Sequence, residues 1–149
     1  MGELQEIIDE LVIIQQVITP PTGEKDLVAY DEPPGQTMIY PCFLNVERET
    51  GEIGYAPSLM ILPYIIDMHF IFGTADRKYA YRSKRKWVKA VRDAFAAKLT
   101  LNGKATEAQL LAMNFHPSGL ILDEESGQKY DAITFILRAT VKEAIAFGV

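Results

Sequence analysis

Near the end of the chain, apolar and mostly polar side chains alternate without a break. Ile133, Phe135, Leu137, Ala139 and Val141 fall on one side, and Thr134, Ile136, Arg138, Thr140 and Lys142 on the other. A side-chain period of two belongs to a β-strand, so Lys129 to Glu143 reads as a long strand with one buried face. A second run does the same from Tyr64: Tyr64, Ile66, Met68, Phe70 and Phe72 alternate with Ile65, Asp67, His69 and Ile71. Two long half-buried strands commit the chain to a sheet, and the apolar face of a sheet needs a cover.

Two amphipathic segments supply that cover. Within Glu3 to Ile18, the residues Leu4, Ile7, Ile8, Leu11, Val12, Ile14 and Ile18 recur at helical spacing. Glu3, Glu6, Asp9 and Glu10 crowd the first turns, where the helix dipole favours negative charge. Thr19-Pro20-Pro21-Thr22-Gly23 ends the helix, because proline cannot extend the hydrogen-bond ladder. The second helix starts between Asp76 and Ser83 and runs to about Leu101, with Trp87, Val88, Val91, Phe95 and Leu99 as its buried stripe. Asn102-Gly103 stops it through a left-handed cap.

Shorter elements fill the gaps. Leu27 to Tyr30 predicts a short strand, and Met38 to Glu47 a strand at a sheet edge, since Pro41 has no amide to donate. Arg48 to Ser58 is a polar, glycine-bearing connection. Thr106 to Met113 reads as a short helix capped by Thr106, and Ser118 to Glu124 as a strand. The expected architecture is α+β: one antiparallel sheet of about four strands with two helices packed on one face, in a single domain over 1–149.

Composition narrows the class. With 48% hydrophobic and 23% charged residues the chain has enough apolar surface to fold, which argues against disorder. A lone cysteine, Cys42, excludes an internal disulfide framework, and the acidic start MGELQEIIDEL lacks the basic region of an export signal. The longest apolar run, Leu59 to Gly73, is broken by Pro63, Asp67 and His69 and is too short to span a bilayer. His69, His116 and Cys42 have no metal-ligand spacing, so no metal or other cofactor is expected. Mid-strand His69 reads as a structural or interface residue, and Cys42 as a small buried apolar group. Asp123-Glu124-Glu125 sits at a hairpin tip without calcium-loop spacing, and Gly51 and Gly54 do not make a phosphate loop. No nucleophile, base and orienting group can be named together, so an enzyme is not expected.

The charge distribution is the strongest functional signal. Arg77 to Lys98 holds nine of the fifteen Lys and Arg residues against the single acid Asp93, whereas the chain as a whole carries −5. A charged helix face is commonly just solvated. It also suits a polyanion, or a neighbouring copy's acidic surface. Lys84, Arg85, Lys89 and Arg92 are the candidate basic face, lining a lumen or meeting a subunit. Glu3, Glu6, Asp9 and Glu10 are the candidate acidic counter-surface. Glu49, Glu52, Ile53 and Tyr55 are a candidate loop for contact with a neighbouring subunit or a tube.

Several features together carry a resemblance. An N-terminal amphipathic helix leads to Tyr30-Asp31-Glu32-Pro33-Pro34. Ile39-Tyr40-Pro41 precedes a glycine-bearing hairpin (Gly51, Gly54). An aromatic strand, a helix ending Leu99-Thr100-Leu101-Asn102-Gly103, and Gly127-Gln128-Lys129-Tyr130-Asp131-Ala132-Ile133-Thr134-Phe135 follow. Over roughly residues 3 to 143 this resembles the tail terminator (tail-completion) proteins of long-tailed bacteriophages. The chain departs from that pattern in the linker Thr19 to Thr37 and in Lys104 to His116. The resemblance implies a virion protein at the tail–neck junction, made in the host cytoplasm. Such a protein forms a homo-oligomeric, six-fold ring, caps the tail tube protein, stops its polymerisation and offers a docking surface to the neck or connector protein. The basic helix face also suits non-specific contact with passing DNA, and no membrane partner is expected. A head–tail connector fits the same features, and so does a non-viral nucleic-acid-binding α+β module using the basic helix.

Overall fold

The computed structural model describes residues 4–32, 34, 38–48, 52–74 and 81–145. In chain order the elements are α1 (Leu4–Gln16), β1 (Val28–Tyr30), β2 (Cys42–Glu47), β3 (Gly54–Ala56), β4 (Leu59–Thr74), α2 (Tyr81–Ala96), β5 (Glu107–Asn114), β6 (Leu120–Ile121) and β7 (Lys129–Ala144). The two alternating runs are its spine: β4 and β7 pair antiparallel from Leu59↔Ala144 to Thr74↔Tyr130, with Phe72 bulged out of register between Ile71 and Gly73. The strand order is β1-β2-β4-β7-β5, with β3 also on β4 and β6 also on β7.

This corrects the expected antiparallel sheet of about four strands. Among the described residues the sheet has seven strands and is mixed, because β1 runs parallel to β2 in the register Val28↔Cys42 to Tyr30↔Leu44. Three of the strands (β1, β3 and β6) are two or three residues long, too short for alternation to register. β2 lies between β1 and β4 rather than at an edge. Pro41 stands just before it, after a cis peptide, so its missing amide costs no ladder bond. The connection Arg48 to Ser58 contains β3, which turns through Pro57-Ser58 onto β4. Thr106 to Met113 is strand, not helix: β5 lies along β7 from Glu107↔Thr140 to Asn114↔Thr134, with Leu111 bulged. The open side of β7 offers backbone partners there, and a sequence with good helix formers takes them. Of Ser118 to Glu124 only Leu120–Ile121 pairs.

One face of the sheet carries the main core. Ile7, Ile8, Leu11 and Ile14 of α1 and Trp87, Val91 and Phe95 of α2 pack on Phe43, Ile66, Met68, Phe70, Phe135 and Leu137. Phe70 is the hub of an aromatic cluster, its ring 4.6 Å from Phe43, 4.8 Å from Phe72 and 4.9 Å from Trp87. α2 ends at Ala96, short of the expected Leu101, so Leu99 lies beyond it and is 64% exposed, whereas Lys84 within the helix is buried. Beyond α2 the chain turns through Leu101, Asn102 and Gly103, all at positive φ. Leu101 tolerates that conformation because its side chain is fully buried.

α1 is fixed to the sheet by a reciprocal amide pair. Gln15 Nε2 donates to Asn45 Oδ1 (2.7 Å), while Asn45 Nδ2 donates to Gln15 Oε1 (2.8 Å) and to the Tyr30 carbonyl (3.0 Å). The opposite sheet face holds a smaller cluster of Cys42, Leu44, Ile71, Leu120 and Ala132. Among the described residues no helix is long and apolar enough to cross a membrane.

Candidate subunit interface

The basic helix does not present its charges as one uniform face. Lys84 turns inward and bonds Asp131 at the start of β7 at 2.5 Å, both side chains being about nine-tenths buried (10% and 8% exposed). Its ammonium also lies 5.3 Å from the Tyr81 ring. Lys84 is therefore removed from the candidate basic surface; it anchors α2 to the sheet. Lys84 stands three residues before Trp87, on the buried side of α2, a spacing legible in the sequence. Arg85, Lys89 and Arg92 are exposed, and Arg82 and Lys86 join them. Lys89 and Arg92 both pair with Asp93, at 2.6 and 3.6 Å. Those exposed pairs contribute little to stability and leave the surface net positive.

The acidic counter-surface is also redrawn. Glu6 and Asp9 are exposed on α1, but Glu10 is buried and accepts from Asn102 Nδ2 at 2.6 Å. It ties α1 to the turn after α2. Glu3 lies outside the described residues. In compensation, Asp31, Glu32 and Glu47 gather with Leu4, Gln5 and Ile8 around a shallow depression of about 420 Å³. α1 lies over β1 and β2 while α2 reaches toward β5, so the acidic and basic surfaces sit on two neighbouring helices, and Lys86 and Lys89 line a shallow depression with Pro21 and Thr22 of the linker after α1. Of the candidate loop, Glu52, Ile53 and Tyr55 are exposed at β3, with Tyr55 at 71%, and Glu49 lies outside the described residues.

Sequence reasoning missed a polar chain on the opposite face of the sheet. His69 on β4 and Thr134 on β7 are direct partners in register, and His116 follows β5 in a left-handed conformation. His69 Nδ1 and His116 Nε2 approach the Thr134 hydroxyl at 2.7 and 2.5 Å. With both rings neutral the hydroxyl donates to one nitrogen and accepts from the other. Burial pushes the His69 imidazole down to about 4, opposed by Asp67 and reinforced by His116. Burial lowers His116 too, again opposed by Asp67, which Arg48 pairs at 3.1 Å. His69 forms one wall of an outer-face cavity of about 620 Å³ lined mainly by Met38, Tyr40, Leu44, Leu120 and Tyr130. Cys42 is fully buried beneath that face, and desolvation drives its thiol up to about 12, so it is not a nucleophile at neutral pH.

The histidine chain sets a pH dependence. His69 is held neutral in the fold and titrates near 6.5 when unfolded. Below that point the unfolded chain binds the extra proton, so stability is complete above about 6.5 and falls as pH drops toward about 4. The total loss is of the order of 3 kcal/mol. Urea melts between pH 7 and 4 measure it, and His69→Gln flattens the profile.

No protein-family model matches the chain, and a comparison with curated proteins finds no match.

Proposed function

We propose that this protein is a non-enzymatic, ring-forming structural protein that caps a phage tail tube, ends its polymerisation and presents a surface to the neck. The observation that carries this is the lateral separation of charge. Arg85, Lys86, Lys89 and Arg92 are exposed on the helix nearer β5, and Glu6, Asp9, Asp31 and Glu32 are exposed on and beside the helix over β1 and β2. Separate unlike patches on two helices are what a heterologous contact needs, and repetition of such a contact closes a ring when the rotation permits. The buried histidine chain offers little to a catalytic alternative, since Thr134 is only 4% exposed.

Arg85→Glu combined with Lys89→Glu tests this function. Both side chains are exposed, so the variant keeps the wild-type circular dichroism and melts within a few degrees of it. Self-association weakens roughly tenfold or more, as expected when several charge pairs are replaced by repulsions. In a phage complementation assay, overlong or unjoined tails accumulate. Normal tails and normal infectivity would remove the assignment. Finished tails beside leaking heads would reassign the protein to the connector. Salt-sensitive duplex binding by the monomer would favour a nucleic-acid-binding module.

A further inference from the structure

We infer that neighbouring copies join edge to edge, the outer side of β5 on one copy pairing with the outer side of β3 on the next. This interface rests on the self-assembly proposed above, though not on the phage assignment. A sheet edge carries unpaired backbone donors and acceptors, and proteins usually cover or charge it. The β1 edge is covered: Gln16 Nε2 donates to the Leu27 carbonyl (2.9 Å), and the Ala29 amide donates to Gln16 Oε1 (3.0 Å). The start of β5 is covered as well, because the Ala108 amide donates to the Leu99 carbonyl at 2.7 Å. From Leu110 to Asn114, no described strand lies beyond β5. That stretch and its continuation are apolar, with Leu111 and Met113 each 43% exposed and Phe115 48% exposed.

On the other side of the sheet, β3 pairs only with β4 among the described residues, and it carries Tyr55 at 71% exposure and neighbouring Ile53 at 51%. Each open edge thus brings its own apolar side chains. Charge selects between a two-fold and a head-to-tail arrangement. Pairing β5 with β5 about a two-fold axis brings two basic α2 helices to the same side. Pairing β5 with β3 sets α2 of one copy toward the acidic side formed by Glu6, Asp9, Asp31 and Glu32 of the next. The occupant of the β5 edge is therefore a second copy, entered by its β3 hairpin.

Two variants, each with one added cysteine, test the contact, since native Cys42 is buried. Met113→Cys and Tyr55→Cys are purified separately and oxidised alone or mixed, at high protein concentration and again with tail tubes added. Disulfide-linked dimer is expected in the mixture only, and the double variant gives a ladder. Dimer from Met113→Cys alone, or no cross-link in the mixture under both conditions, would overturn the inference. Met113→Lys, at a half-exposed site that tolerates the change, weakens self-association roughly tenfold by placing an unpaired charge in the contact. Unweakened association would also overturn it. Cross-linking in the mixture with normal tails from the Met113→Lys variant would leave the edge contact standing and remove the tail-capping role.

Discussion

Lys84→Ala is expected to destabilise the monomer by about 3–5 kcal/mol, the cost of removing the cation that faces a buried carboxylate. Lys84 and Asp131 sit 2.5 Å apart with about a tenth of each side chain exposed. Their attraction offsets a desolvation cost that each group would bear alone. Asp131→Ala has the same direction and a similar size. Replacing both, as Lys84→Met with Asp131→Leu, costs much less, because a well-packed apolar pair removes both charges together. Chemical denaturation of the wild type, Lys84→Ala, Asp131→Ala and the combined Lys84→Ala with Asp131→Ala variant forms a double-mutant cycle, and the coupling energy is the decisive quantity. Additive losses would show that the two residues do not act as a pair. On the proposed ring, a loosened α2 N-terminus would no longer hold Arg85 and Lys89 in place, so assembly is expected to weaken as well.

Phe70→Ala is expected to cost about 3–5 kcal/mol, the range for deleting a large aromatic from a close-packed core. Phe70 is fully buried and touches the β2, β4 and α2 aromatics at once. Phe43 and Trp87 beside it are themselves fully buried and close-packed, so they have little room to close over the space. Phe70→Leu keeps most of the volume and loses much less. Thermal melts of both variants check the ranking. Equal losses would mean that the site collapses around the smaller side chain.

How much of this was legible beforehand follows from the length of each signal. The alternation in Tyr64 to Phe72 and in Ile133 to Val141 named the spine strands and their buried faces, because a long run repeats its period enough times to be read. Helices α1 and α2 were legible for the same reason, within a few residues at their ends. β1, β3 and β6 offer only two or three residues each, so neither their pairing nor the parallel step from β1 to β2 could be read locally. β5 shows the stronger effect: TEAQLLAM has helix-forming composition, and the open side of β7 overrode it.

The candidate interface divides in the same way. Composition along the chain determined that positive charge concentrates in one helix and negative charge elsewhere, and that Ile53 and Tyr55 lie in a polar connection. Tertiary structure decided which charges remain available. It turned Lys84 inward onto Asp131 and Glu10 inward onto Asn102, and left Arg85, Lys89 and Arg92 outside. It also brought His69, Thr134 and His116 together from three separate segments. Periodicity along one segment records which side of that segment is buried; the identity of what it is buried against is set by residues tens of positions away, and only folding brings them into contact.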